Sequence, residues 1–243
     1  IMSLHQDSSH FRVSNRLATE DELFEEALGH VGAFYIHPET IVLRFTNHPL
    51  VSAADVAGTP GYHERGWCHC ESVWSSFLKR RQMNLDLGRA SRRETSWLSL
   101  VNGCSGGGER SPPMLPGAFE RSLTAKHLMV PEVDGQLIAD LYRATFDEFV
   151  CQATELDYAH LGWDDMHARA LAEVLSSGAM PRLRKLDLSG NAITNAGCIA
   201  LALSFQNGNV EELESLKLDE SDVSDRGCAA IAEAVRCGSL PKL

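Results

Sequence analysis

The chain has 243 residues and a formal net charge of −11. Apolar residues make up 44% of it and charged residues 23%, values typical of a globular protein, which exclude disorder of the whole chain. The acidity is spread along the sequence and argues against a basic surface for nucleic acid or anionic lipid. No apolar run approaches the roughly 18 residues of a transmembrane helix. We therefore predict neither a nucleic-acid partner nor a membrane partner.

The cysteines predict a reducing compartment. There are seven of them, an odd number, and their spacing shows no disulfide framework. Cys198 and Cys228 occupy equivalent positions in an internal repeat, where a small buried hydrophobic residue is expected. Disulfides are rare in the cytosol, so this pattern of cysteine use predicts a cytoplasmic protein.

The N-terminal part reads as an α/β segment over residues 20–101, after a polar stretch at 1–19 that we predict to be disordered. Helical and strand patterns alternate along it: a helix at 20–35, a strand at 40–46, a helix from Trp67 to Arg81 and a strand at 83–87. A helix followed by a buried strand indicates layered α/β packing.

The next stretch is rich in glycine and proline. Residues 102–133 include three consecutive glycines and several prolines, which indicate a linker or a long surface loop with a short helix at 118–127. An amphipathic helix is predicted at 134–152, with Leu137, Ile138 and Phe146 on its apolar side. Because it directly precedes a repeated segment, we expect it to cap the exposed end of the repeats.

A sequence unit recurs at a spacing of 30 residues over 153–243. It opens with Leu156-Asp157-Tyr158, Leu186-Asp187-Leu188 and Leu216-Lys217-Leu218, and a helical apolar pattern follows each of these strand-like segments. A fixed period of this length is typical of stacked repeats, because no single unit can bury its apolar face alone. A fourth copy starts at Leu240, so we expect the array to be truncated there. The predicted fold is α/β: a short solenoid of strand–helix units preceded by a partial α/β layer.

The second unit carries the most complete motif. It reads Leu183-x-x-Leu186-x-Leu188-x-x-Asn191-x-Ile193-x-x-x-Gly197. Asn191 is placed to bridge backbone groups where the strand ends, and Gly197 to allow a tight turn into the helix. Residues 150–243 therefore resemble the ribonuclease-inhibitor-like leucine-rich repeat. The other units depart from the motif at the same positions, with Leu161, Trp163 and His167 in the first and Ser221 in the third, so we predict that the first unit is a capping variant.

The resemblance implies a concave parallel sheet whose outward strand residues face a partner. Those residues are Glu155, Asp157, Ala159, Lys185, Asp187, Ser189, Ser215, Lys217 and Asp219. Their mixed charge fits a docking surface, and it fits ordinary solvated strand residues as well. No catalytic constellation is visible in the repeats. We therefore predict a protein–protein interaction module with no catalysis of its own and an unidentified protein as its partner.

A second resemblance involves residues 62–71, which follow a predicted strand and open a helix. Tyr62, Trp67, Cys68 and Glu71 form a Y-x-x-x-x-W-C-x-x-E pattern similar to the middle of a TIR-type domain. That resemblance implies NAD hydrolysis or a signalling scaffold, with Glu71 as the catalytic carboxylate. The segment also resembles an R-G-W-C-x-x-E stretch in uncharacterised protist repeat proteins. The structural alternative is that Trp67 and Cys68 pack in the core and that Glu71 lies on the helix surface or pairs with Arg65.

Metal and cofactor sites are not predicted. His63, Cys68, His69 and Cys70 are potential ligands, but the C-x-x-C spacing and the second ligand pair of a zinc site are missing. Residues 103–108 are rich in glycine, but no Lys-Ser/Thr follows at the spacing of a phosphate-binding loop. We expect neither metal nor cofactor.

Overall fold

The structure is a computed structural model that describes residues 23, 26–46, 60–91, 93, 95–105, 110–207 and 210–243. The segment 1–19, predicted to be disordered, lies outside these residues. Within the described part of the chain, no helix combines the length and the apolarity needed to cross a membrane.

The N-terminal layer consists of two short parallel strands and the helices around them. In chain order its elements are α1 (Val31–Ile36), β1 (Val42–Arg44), α2 (Gly66–Trp74), β2 (Asn84–Asp86) and α3 (Trp97–Cys104). Leu43 of β1 lies opposite Leu85 of β2. The predicted helix and strand types agree with α1, β1, α2 and β2, but each strand is only three residues long and α2 ends at Trp74 instead of near Arg81. Helix α3 was not predicted from the sequence. The described part of the predicted helix 20–35 is helical at 26–29 and again in α1, with a turn at His30 between them.

The segment predicted as a linker, 102–133, contributes to the core. It contains α4 (Pro116–Leu123), in which Phe119 and Leu123 are buried. The sequence analysis interpreted its prolines as loop formers, whereas Pro116 stands in the first turn of the helix, where a missing backbone N–H costs nothing.

Helix α5 (Pro131–Phe149) follows α4 and is the helix that the sequence predicted as a cap. It packs against α1, α2 and α4 of the preceding segments. Ile138 and Phe146 are buried as predicted. The sequence prediction missed Tyr142, which is fully buried with its hydroxyl donating to the Met114 carbonyl at 2.8 Å.

Three strand–helix units follow α5. Their elements are β3 (Glu155–Asp157), α6 (Asp165–Ser176), β4 (Lys185–Asp187), α7 (Asn195–Gln206), β5 (Ser215–Lys217) and α8 (Asp225–Arg236). The strands form one parallel sheet in the order β3-β4-β5, and residues 30 positions apart stand side by side. The helices pack in the same order, α6 on α7 and α7 on α8. The 30-residue period of the sequence is therefore the period of the structure.

The backbone repeats with the same period beyond the strands. Residues 160, 190 and 220 all have positive φ, at 55°, 67° and 54°. The turn before each strand repeats as well: the amides of Ala153, Leu183 and Leu213 each donate to the carbonyl three residues earlier, and the Leu243 amide makes the same bond to Leu240. This phase is kept from the first unit to Leu243.

One hydrophobic core runs through the N-terminal layer and the repeats. Trp74 and Phe77, from the segment of α2, lie in the same buried cluster as Tyr142 of α5 and Leu156 of β3. The rings of Phe77 and Tyr142 meet edge to face, with centroids 5.6 Å apart. The N-terminal layer and the repeats thus share one main core, while Leu85 of β2 packs with Val101 and Cys104 of α3 in a second, smaller cluster.

Candidate interaction surface

The strand face brings six of the predicted binding residues together. In the parallel register, Glu155, Lys185 and Ser215 form one row, and Asp157, Asp187 and Lys217 form the next. The central leucines of β3 and β4 point to the opposite side and are only 1% exposed. Alternation along each short strand therefore places the leucines in the core and the polar residues on one accessible face.

Two ion pairs link neighbouring strands across this face. The Lys185 ammonium pairs with the Glu155 carboxylate at 2.5 Å, and the Lys217 ammonium pairs with the Asp187 carboxylate at 3.0 Å. The hydrogen bond from Lys185 lowers the pKa of Glu155, and the bond to Asp187 raises the pKa of Lys217. Both lysines are more than half exposed, so each pair contributes little to stability.

A cleft of about 620 Å³ lies over this face. Its floor includes all six residues of the two rows. Its opposite wall comes from the N-terminal layer and was not predicted from the sequence: Pro38, Glu39, Leu78, Arg80, Gln82 and Met83. The strand face is therefore the floor of a groove, and the N-terminal layer forms the wall that faces it.

The remaining predicted residues lie outside this cleft. Ser189 donates to the Asp219 carboxylate at 3.4 Å, which links the segments that follow β4 and β5. The amide of Ala159 donates to Asp157 at 3.3 Å. These three residues continue the strand face without lining the groove.

Asn191 joins the first two units through backbone groups, as its position in the motif predicts. Its side-chain oxygen accepts from the amides of Leu161 and Trp163 at 3.1 and 3.0 Å. Its side-chain nitrogen donates to the carbonyls of Tyr158 and Leu188, each at 2.8 Å. One buried amide therefore satisfies four backbone groups.

The third unit lacks this bridge. Ser221 takes the place of Asn191, and its buried hydroxyl oxygen has no hydrogen-bond partner within the described residues. A serine side chain is too short to repeat the four bonds of the amide. The junction between the second and third units is therefore less well satisfied than the one before it.

A second link between units was not recognised in the sequence. The Asp165 carboxylate accepts from the amides of Thr194 and Gly197, both at 2.8 Å. Thirty residues on, the Asn195 side-chain oxygen accepts from Ser224 and Gly227 at 3.0 and 2.9 Å. The sequence signal was present as Asp or Asn at a 30-residue spacing, one residue after each helix cap.

Gly197 is required by this link. A Cβ at that position would lie 2.6 Å from the Asp165 carboxylate oxygen and 2.9 Å from the Ala168 Cβ. The glycine of the motif is therefore explained by close contact with the preceding unit.

Glu71 lies away from the groove. It belongs to α2, is 7% exposed, and contacts Tyr35 of α1. Burial raises the pKa of Glu71 to about 7, although the hydrogen bond with Tyr35 and the charge of Arg65 act in the opposite direction. Cys68 is also buried, and Trp67 packs against the core. The expectation of a surface position for Glu71 was wrong, because α2 turns this side chain toward α1.

The cluster of potential zinc ligands is divided by the helix. Cys68 and Cys70 are buried, and the His69 ring instead shares a hydrogen bond of 2.8 Å with the Ser122 hydroxyl. The His69 ring stacks on Phe119, and burial lowers the pKa of His69 to about 4. Over the described ranges, no group of three or more His, Cys, Asp or Glu side chains is arranged to hold a metal.

Comparison with known proteins gives one match to a family model. Residues 180–202, which contain β4 and the first part of α7, match the family model described as Leucine Rich repeat. Searches of curated proteins and of solved structures found no match. Residues 180–202 are thus similar to a leucine-rich repeat, and they include Asn191, which bridges the first two units.

Proposed function

We propose that the chain is a protein–protein interaction module without catalysis of its own. Its three strand–helix units would form a short ribonuclease-inhibitor-like solenoid with the strand face as docking surface. The observation that supports this best is the groove of about 620 Å³, whose floor carries six residues of mixed charge. The leucine-rich repeat at 180–202 is compatible with such a role.

The ion pairs on this surface can be replaced by ion pairs with a partner. Lys185 and Lys217 are paired within the chain but remain more than half exposed. Exposed pairs are weak, so a partner's charged groups can replace them at little cost. Apolar wall residues such as Leu78 and Met83 add contact area beside these charges. The partner we infer is therefore a protein segment that presents both apolar and charged side chains.

Charge reversal on the floor tests this proposal. The variant Lys185→Glu with Lys217→Glu is expected to lose partner capture in cross-linking from a cell lysate. Its fold, followed by circular dichroism and urea unfolding, should change little because both lysines are exposed. A second variant, Glu155→Lys with Lys185→Glu, keeps the ion pair but reverses its direction, and it should also lose capture.

The control reverses two cations away from the groove. Arg143 on α5 is half-exposed and pairs with Glu120 and Asp140, so it matches the floor lysines in exposure and pairing. Arg169 is exposed on α6. The variant Arg143→Glu with Arg169→Glu should capture partners as the wild type does. Equal capture by the floor and control variants would refute the proposal.

The alternative, a TIR-like NAD hydrolase or signalling scaffold with Glu71 as the hydrolase carboxylate, stays a prediction. A raised pKa is common for catalytic carboxyl groups, but a substrate must also reach the group. The burial of Glu71 against Tyr35, outside the groove, weighs against that access. Its test is nicotinamide release from NAD at high protein concentration, with Glu71→Gln as control.

We also propose that the protein works in a reducing compartment such as the cytoplasm. Cys68, Cys70 and Cys198 are buried free thiols, and the first two lie on the same helix. They pack as small apolar residues and are not placed as disulfide partners. Partner capture that persists in the presence of a reductant would agree with this proposal, and capture that is lost on reduction would contradict it.

A further inference from the structure

The groove contains charged side chains that lie outside its two ion pairs. On the floor, the Asp157 carboxylate accepts from the Ala159 amide at 3.3 Å and, within the described residues, has no cation at ion-pair distance. On the wall, Arg80 is exposed, and over the same ranges its guanidinium forms neither an ion pair nor a hydrogen bond. One anion of the repeats and one cation of the N-terminal layer are therefore open to an occupant.

Arg80 and Asp157 lie at different heights along the floor. Arg80 is near the first row, because its charge adds to the hydrogen bond from Lys185 in lowering the pKa of Glu155. Asp157 belongs to the second row, beside Asp187. The cation of the wall and the unpaired anion of the floor are therefore offset along the direction of β3.

The offset between the two rows matches the repeat of an extended chain. Glu155 and Asp157 are two residues apart on one strand, a distance of about 6.6 Å. In an extended occupant, side chains two positions apart point to the same side with the same spacing, and the residue between them points to the opposite side. A segment that lies between a floor and a facing wall can therefore contact both.

The wall also has an apolar part close to Arg80. Leu78 and Met83 both line the groove and are half-buried, so part of each side chain is accessible. An apolar side chain of the occupant that points to the wall would remove this surface from water. The middle residue of the extended segment is therefore expected to be apolar.

The overall charge of the groove limits the occupant further. The wall contributes a second acid, Glu39, which is exposed and has no ion pair in the part of the chain that the structure describes. With it, the lining carries four acids and three bases. A purely acidic occupant is therefore disfavoured, whereas a segment with both charges can pair with Arg80 and with Asp157.

We propose that the groove binds an extended peptide segment in which an acidic and a basic side chain stand two positions apart, with an apolar residue between them. The acid binds Arg80, the base binds Asp157, and the apolar residue packs on Leu78 and Met83. This partner chemistry rests on the interaction role proposed above and makes it specific. The repeats alone supply only half of the site, because the partner of the acid belongs to the N-terminal layer.

The test selects binders of the full chain from a displayed library of random nine-residue peptides. Sequencing should show the triplet of acid, apolar residue and base enriched roughly tenfold over the unselected library, in the order that matches the direction of the bound segment. A selected peptide carrying a fluorophore then gives the affinity by fluorescence polarisation. Replacing its acid by glutamine, or its base by methionine, should each weaken binding to the wild type about fivefold.

Two single variants assign each charge of the peptide to its partner. Arg80→Gln should bind the selected peptide about fivefold more weakly, and replacing the acid of the peptide should then have no further effect. Asp157→Asn, which keeps an oxygen for the Ala159 amide, should do the same for the base. The control is Arg236→Gln on α8, which removes an exposed arginine from its pair with Glu233 and should bind as the wild type does.

The outcomes separate this proposal from the interaction role itself. It is overturned if the selected peptides lack the triplet, if no peptide is selected, or if Arg80→Gln and Asp157→Asn bind as tightly as the wild type. The interaction role is judged independently, by lysate capture with the charge-reversal variants of Lys185 and Lys217. Circular dichroism and the urea midpoint establish that each variant is folded, and the two peptide replacements decide the question on the wild-type chain if a variant is not.

Discussion

The indole nitrogen of Trp163 donates a hydrogen bond of 2.6 Å to the backbone carbonyl of Arg110. The Arg110 guanidinium in turn lies over the Tyr158 ring, 5.4 Å from its centroid, and donates to the carbonyls of Ser76 and Lys79. Trp163 and Tyr158 are the aromatic residues at which the first unit departs from the second. Their departures from the motif are explained by the junction with the N-terminal layer.

Trp163→Phe tests this junction. Phenylalanine keeps an aromatic ring in the buried site but removes the N–H, so the Arg110 carbonyl loses its partner. We expect a loss of about 1–3 kcal/mol in the free energy of unfolding, measured with urea. Trp163→Ile, which restores the residue type of the second unit, should cost more because it also removes ring contacts. A Trp163→Ile variant as stable as the wild type would contradict this role.

The sequence predicted the repeats better than the groove, for a physical reason. The period of 30 residues places equivalent residues side by side, so the strand rows of Glu155 with Lys185 and Asp187 with Lys217 follow from spacing alone. The opposite wall of the groove comes from residues such as Leu78 and Arg80. These precede β3 by more than 70 positions, and no periodic pattern relates them to the strands.

Buried side chains that carry a polar group were also missed by the sequence analysis. Tyr142 was left out of the apolar stripe of α5, yet it is fully buried because the Met114 carbonyl accepts its hydroxyl. Glu71 is another example, since a carboxylate on a helix usually faces water. In both cases burial depends on a partner from another element, and that partner cannot be read from local sequence.

Asn191→Leu is expected to be strongly destabilising. Leucine is the residue at the equivalent position of the first unit, so an apolar side chain of this type is compatible with a repeat. The change nevertheless removes the partner of four buried backbone groups, including the amides of Leu161 and Trp163. With an unsatisfied buried group costing about 1–3 kcal/mol, the loss should exceed that of a single hydrogen bond. Urea unfolding measures it, and a loss below about 1 kcal/mol would show that water replaces the amide.

Ser221→Asn should stabilise the chain by about 1 kcal/mol. The asparagine would repeat the bridge of Asn191 one unit later and would replace a buried hydroxyl that lacks a partner. The measurement is the midpoint of thermal unfolding at fixed protein concentration. Ser221→Ala is the control, because it removes the hydroxyl without adding a bridge, and its gain should be smaller. Equal midpoints for the two variants would mean that the bridge does not form in the third unit.

Glu71→Gln should remove a pH dependence of stability. Burial raises the pKa of Glu71 to about 7 from an ordinary value of 4.5. Between these two pH values the unfolded chain has lost the proton that the folded chain keeps. The contribution of Glu71 to stability is therefore greatest below pH 4.5, falls as the pH rises toward 7, and is constant above that.

Glutamine has no proton to lose, so the free energy of unfolding of Glu71→Gln relative to wild type should increase from pH 5 to pH 8. Urea unfolding of both proteins at several pH values measures that difference and cancels the titration of all other groups. Glu148→Gln, at an exposed position on α5, is the matched control for replacing a carboxyl group by an amide on a helix. If Glu71→Gln behaves like Glu148→Gln, the Glu71 carboxylate is solvated in the folded chain. A substrate such as NAD could then reach it, as the hydrolase alternative requires.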